Sequence, residues 1–171
     1  FFNEIRQIAG RDYEFVFNLV EAVGQHAEIL YFIPGLLNML HIPYTGCPVE
    51  AAFNTGSKVL ARRIMKANGI PVAGGYKVSE SGQLVKGRQY ILKPVWEDGS
   101  LGITEESVFT FDGTAPHILK DKNDLHWFIE DFIEGREFNV SVKAGPDGPE
   151  VLPPAEMTFI GYPDDMPRIV S

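Results

Sequence analysis

A single cysteine, Cys47, rules out an internal disulfide, and the four histidines, His26, His41, His117 and His126, lack the short spacings of zinc sites. The expected setting is therefore a reducing cytoplasm. Positive charge is also scarce. Fifteen Lys and Arg against 23 Asp and Glu leave a formal charge of -8, which excludes a nucleic-acid partner because gripping a phosphate backbone needs a dense basic field. A small polyphosphate needs only two or three local cations and is not excluded. No apolar run approaches the roughly 20 residues of a membrane span. The opening Phe1-Phe2-Asn3-Glu4 has no basic region followed by an apolar stretch, so neither membrane insertion nor export is expected. The chain starts without Met and stops at Ser171 soon after a loop-like stretch, and both ends are expected to be cut.

What remains is ample for a folded unit, since 171 residues at 44% hydrophobic can bury a core. Phe15-Val16-Phe17-Asn18-Leu19-Val20 reads as a buried strand, and Ile33, Leu36, Leu37 and Leu40 recur at helical spacing with Pro34 tolerable in a first turn. Ile42 to Pro48, with two prolines and a glycine, reads as a rigid connection and a domain boundary. Asn54 or Thr55 is expected to cap a helix running to about Asn68, with Leu60, Ile64 and Ala67 on one face and Gly69 and Pro71 as its stop. Tyr76-Lys77-Val78 and Tyr90 to Lys93 read as strands joined through a polar turn at Ser81-Gly82. Val108-Phe109 and the apolar stretch from Trp127 to Ile133 follow, and Glu137 to Val142 alternates as a half-buried strand does. Gly145 to Pro149 reads as a hairpin connection to Val151-Leu152. Mixed helices and antiparallel strand pairs point to an α/β to α+β class.

One constellation carries chemistry. Lys58 opens a helix, Lys93 closes a strand before Pro94, a glycine-containing loop spans Glu97 to Gly102, and Glu130 and Glu137 supply acceptors downstream. A nucleoside triphosphate needs these parts: cations at its phosphates, backbone that closes over them, and acceptors for ribose and adenine. Taken singly, each has a plainer reading. Lys58 reads as a solvated helix lysine, and Lys93 equally as a strand end in water or a cation in a cleft. The loop reads as a hairpin turn without P-loop spacing, and Glu137 as the wet side of a strand.

Together, and in this order, the segments resemble the ATP-grasp superfamily and in particular the D-alanine-D-alanine ligase family. The likeness is carried by Phe17 to Glu21, Ile42 to Gly46, the Lys58 helix, Ile91-Leu92-Lys93-Pro94 with Glu97 to Ile103, Ile129 to Val140, and Leu152-Pro153-Pro154-Ala155-Glu156. The resemblance implies an incomplete ATP-grasp fold with part of an α/β amino-terminal (pre-ATP-grasp) domain. Residues 1–50 would be the remnant of that substrate domain, 51–130 the small central ATP-grasp subdomain, and 131–171 the start of the large carboxy-terminal one. It implies ATP and magnesium as cofactors, amino acids as substrates, a cell-wall (peptidoglycan) role and, the family being often dimeric, a homodimer. Lys58 and Lys93 would contact phosphates, Ser100 and Gly102 would fold over them, Glu130 with the backbone of Phe132 and Ile133 would hold adenine, and Glu137 the ribose. The implied reaction is amide formation through an acylphosphate.

The chain departs from the family pattern at three places. Ser57 stands where an aspartate usually precedes the nucleotide lysine, and Gly99 stands where the dipeptide ligases carry a serine near the substrate. The family's metal ligands and catalytic arginine lie beyond the proline-proline motif, so they are expected beyond Ser171, and the chain by itself is expected to lack full activity. Two further readings stand beside the ligase: the same fold acting on another amino acid or peptide, and a nucleotide-binding module without ligase chemistry.

Overall fold

The computed structural model describes residues 7–8, 11, 13–163 and 166–169. The readings placed on Phe1 to Glu4 and on Ser171 lie outside them.

Helix α1 (Phe32–Met39) forms as its spacing predicts, with Pro34 third in the helix, where the missing N–H costs no intrahelical bond. Ile33 and Leu37 are buried and pack with Val16, Val23, Leu36, Leu40, Ile42 and Tyr44 into a small cluster. The expected strand at 15–20 does not form. Only Val16 finds a backbone partner, through a single parallel bridge to Tyr44, while Phe15, Phe17 and Leu19 are exposed. A strand needs a continuous neighbour along one edge, and an apolar run cannot supply its own.

The predicted helix from Asn54 or Thr55 to Asn68 is two helices, α2 (Val49–Gly56) and α3 (Lys58–Ala67). Asn54 and Thr55 lie inside α2. The chain breaks at Ser57, whose extended backbone and side-chain oxygen, accepting from Leu60 N–H at 3.3 Å, make it the true cap. The stop is as expected. Gly69 takes a φ of 73°, and Ile70 N–H donates to Met65 C=O while Gly69 N–H donates to Lys66 C=O, the paired bonds of a Schellman ending. The predicted apolar face is shifted: Leu60 is partly covered as expected, Ile64 and Ala67 are exposed, and Val59, Arg62 and Met65 are partly covered.

Strands β1 (Gly75–Lys77), β2 (Gln89–Pro94), β3 (Val108–Thr110) and β4 (Trp127–Asp131) form an antiparallel sheet in the order β1-β4-β2-β3. The connection from β1 to β2 runs through Ser81-Gly82 as expected, but the two strands are not neighbours, because β4 inserts between them. The connection coils as a 3-10 turn, Val78–Gln83, that carries Val78 and then Leu84 under the sheet. Alternation sorts the two faces. Tyr90, Leu92 and Ile129 face a core completed by Val78, Leu84, Phe111 and Leu119. Ile91, Lys93, Phe128 and Glu130 alternate to the other face.

Beyond Gly135 the single strand expected at 137–142 is two. β5 (Glu137–Asn139) pairs with β8 (Ala155–Met157), and β6 (Val142–Gly145) forms the predicted hairpin with β7 (Gly148–Val151). Their side chains are exposed rather than half-buried, since no second layer covers them among the described residues.

Candidate functional site

The start of α3 is tied to the end of β2 by a bond from Lys58 N–H to Val95 C=O at 3.0 Å. Lys58, two residues along β2 Lys93, and the loop after Val95 therefore meet at one corner of the sheet. Lys58 Nζ donates to the Glu97 carbonyl and lies 3.1 Å from Asp98 Oδ1, an exposed pair worth at most about 1 kcal/mol. In the loop Gly99, Ser100 and Gly102 have φ of 59°, 64° and 79°. Leu101 and Ile103 N–H are spent on Asp98 and Ser100 carbonyls, whereas the N–H groups of Gly99, Ser100 and Gly102 have no partner among the described residues. Gly102 has a second reason to be glycine: a Cβ there would lie 3.1 Å from Pro94 and 3.5 Å from Trp127.

Lys93 and Glu130 come together across the β2–β4 ladder. Lys93 stands opposite Phe128 and Ile91 opposite Glu130, so the two charged side chains are diagonal neighbours on one face. Lys93 Nζ donates to Glu130 Oε2 at 2.7 Å. The other carboxylate oxygen lies 2.9 Å from Arg62 Nε, off the N–H direction, so that contact is an ion pair rather than a hydrogen bond. Arg62 also donates through Nη2 to Ala73 C=O and lies over the Phe128 ring, 5.8 Å from its centre. The Glu130 carboxylate is 14% exposed, which makes its two cations necessary. Sequence reasoning missed Arg62. The available signal was its position four residues after Lys58, one turn along the same helix face.

At the far end of β4 the arrangement is looser. Phe132 N–H donates to Gln89 C=O at 3.1 Å, which among the described residues leaves its carbonyl as the backbone group without a partner. Ile133 N–H has no partner among the described residues, and its side chain is 70% exposed. Glu137, exposed at the start of β5, sits opposite Met157. Arg136 beside it grips Glu156 with two bonds of 2.7 Å, which raise the guanidinium and lower the carboxyl from their ordinary values. Asp131 accepts from Gly74 N–H at 3.0 Å through Oδ2, leaving Oδ1 buried without a partner. Burial, and after it the Asp131 charge, push the Tyr76 phenol up.

A cleft of about 660 Å³ opens between α3, the 69–77 segment and Phe128, and a smaller one of about 290 Å³ lies between residues 27–31 and the α2–α3 junction. None of Lys58, Lys93, Ser100, Gly102, Glu130, Phe132, Ile133 or Glu137 lines either. Lys58 and the 97–102 loop lie instead at one end of the sheet, Glu130 beside Lys93 on β4, Phe132 and Ile133 just past the end of β4, and Glu137 on the separate β5–β8 ladder. Among the described residues no group of three His, Cys, Asp or Glu could hold a metal ion, and no helix is long and apolar enough to cross a membrane.

No protein-family model matches the chain. Among curated proteins it is 31% identical over 138 residues to a D-alanine--D-alanine ligase of Acinetobacter baylyi, covering 76% of this chain and 44% of that protein. It is 32% identical over 137 residues to one of Bordetella pertussis, covering 75% and 42%. Its fold is similar to solved D-alanine-D-alanine ligases from Helicobacter pylori (TM-score 0.67, 19% identity, 87% of this chain and 48% of that one) and Coxiella burnetii (0.62, 21%, 88% and 47%). It is also similar to an L-amino acid ligase from Bacillus licheniformis (0.62, 18%, 96% and 38%). The chain spans less than half the length of the curated relatives it matches.

Proposed function

This chain belongs to the D-alanine-D-alanine ligase family of the ATP-grasp superfamily, and from that premise we propose that it carries the ATP-binding part of an ATP-dependent carboxylate-amine ligase. The observation that carries the reading is the corner where Lys58, Lys93 and the 97–102 loop meet. Lys58 touches the loop, Lys93 lies two residues before the Val95 that Lys58 binds, and the loop has three N–H donors at positive φ without a partner among the described residues, which together are the donor set a polyphosphate needs.

The nucleotide would lie along a track from the Lys58 corner down β4. Lys58 and Lys93 would turn from their carboxylate partners to the phosphates, and the backbone at Ser100 and Gly102 would close over them. From the register of Phe128, opposite Lys93, to Phe132 the chain advances about 13 Å at strand rise, which suits an extended triphosphate, ribose and base. Adenine would meet Glu130, the Phe132 carbonyl and the Ile133 N–H, and Glu137 would accept from the ribose. The division into residues 1–50, 51–130 and 131–171 as substrate-domain remnant, small subdomain and start of the large one fits this arrangement, with ATP between the last two.

ATP would supply the phosphoryl group that converts a carboxylate into an acylphosphate open to attack by an amine. Lysines hold the transferring oxygens by charge without taking part in a bond-making step. Magnesium ligands and the catalytic arginine are assigned to the part of the relatives' length that this chain does not span. D-alanine is the first substrate to test. Gly99, which offers no hydroxyl where the resemblance calls for a serine, favours a second reading with another amino acid or peptide.

Calorimetric titration of ATP, with and without magnesium, tests the assignment on the chain and on the complete protein. Saturable binding weakened about tenfold or more by Lys93→Ala is expected, the usual scale for losing a charged phosphate contact. Unchanged affinity in the complete protein would remove the nucleotide track. Phosphate release across D- and L-amino acids then separates the two substrate readings, and exclusive use of L-substrates would remove the first.

A further inference from the structure

We propose that Arg62 is a positioning residue for the phosphate lysine, acting through Glu130; the inference rests on the nucleotide reading above. Glu130 has two oxygens and two cations. Lys93 holds Oε2 at 2.7 Å and Arg62 Nε lies 2.9 Å from Oε1. Lys93 and Glu130 alone would sum to zero charge, and Lys93 could turn to a phosphate only by leaving a largely buried carboxylate without a counterion, which is strongly disfavoured. With Arg62 present the cluster carries one net positive charge, and Glu130 keeps a partner whichever way Lys93 points.

Arg62 is built to stay. Its side chain is 18% exposed, its Nη2 is anchored on the Ala73 carbonyl, and its guanidinium lies over Phe128. The backbone is shaped to admit it, since a Cβ at Gly75 would fall 1.7 Å from Arg62 Nη1. Lys93, by contrast, is 28% exposed and among the described residues has only the Glu130 bond, so it is the member free to exchange partners. The Nε contact, short but off the hydrogen-bond direction, suits a counterion that holds charge in place rather than a tight donor.

The test is a double-mutant cycle in the complete protein, reading ATP affinity by calorimetry and the ATP KM separately from kcat, with the melting temperature as the control for folding. Arg62→Met is expected to weaken ATP about tenfold in the parent background and less than about twofold in Lys93→Ala, because its effect passes through that lysine. Arg62→Lys, which keeps the charge but not the fork, is expected to recover part of the loss and carries the same comparison if the Met variant does not fold. An equal loss in both backgrounds, the signature of a merely structural role or of direct contact with ATP, would overturn the proposal, as would no loss in the parent background. If Lys93→Ala itself leaves ATP affinity intact, the nucleotide reading fails and this inference with it. A Lys93 effect without an Arg62 effect fails this inference alone.

Discussion

Gly75 shows how much a single residue can decide. It lies on the edge strand with room above it that Arg62 occupies, so Gly75→Ala must displace the guanidinium or the strand. A loss of about 1–3 kcal/mol in urea unfolding is expected, the range for overpacking a filled site. Its neighbour Tyr76 gives a pH signature. Burial and the Asp131 charge raise its folded pKa. The stability this represents is fully present below the unfolded phenol value of about 10 and is lost as pH rises through the folded value. Tyr76→Phe is therefore expected to flatten the alkaline limb of a stability-against-pH curve, and parallel limbs in the two proteins would refute the assignment. Neither effect is visible in sequence. Gly74-Gly75 looks like an ordinary turn until a guanidinium and the Asp131 carboxylate are found against it.

At the scale of elements, α3 was legible at its end and misread at its start. Gly69 and Pro71 mark a stop by local chemistry alone, and the stop is there. The start depends on where the chain breaks, and Asn54, Thr55 and Ser57 all have the chemistry of a cap. Ser57 is chosen because the break there lets Lys58 N–H reach Val95, just beyond the end of β2, a long-range bond that no window of sequence contains. Ser57→Ala is expected to cost about 1 kcal/mol, as lost caps do, measured by chemical unfolding. Because the cap sets where Lys58 begins, the same variant is expected to weaken ATP as well. The strands show the same division. β2 was readable as the run Tyr90 to Lys93, and β4 lies within the apolar stretch from Trp127 to Ile133. That β4 separates β1 from β2 was not readable, because strand order is set by which faces need covering, and Val78 and Leu84 are covered only when their connection passes beneath the sheet.

Across the whole molecule the apolar surface is uneven. The four-stranded sheet is well covered on its core side, whereas Ile133, Phe138, Val140, Val142, Val151 and Ile160 are exposed on or beside the small β5–β8 and β6–β7 ladders. Exposed apolar side chains beside short strands with free edges favour association. The isolated chain is accordingly expected to bind a hydrophobic dye and to elute from a sizing column as mixed oligomers. A compact monomer without dye binding would count against these ladders being uncovered in solution.

Sequence by itself argued against a nucleic-acid partner and determined the order of the segments that carry the resemblance and most element identities. These follow from composition, from periodicity and from local turn chemistry, which act over a few residues. It also carried the family resemblance, because collinear short motifs add up where none is specific alone. Tertiary structure decided what those segments touch: Lys93 beside Glu130, Arg62 behind them, Phe132 N–H already spent on Gln89, and the apolar run at 15–20 left without a sheet. The physical reason is common to all four. A charge, a donor or a strand edge is defined by its partner, and here each partner, present or missing, is set by chain far away in sequence.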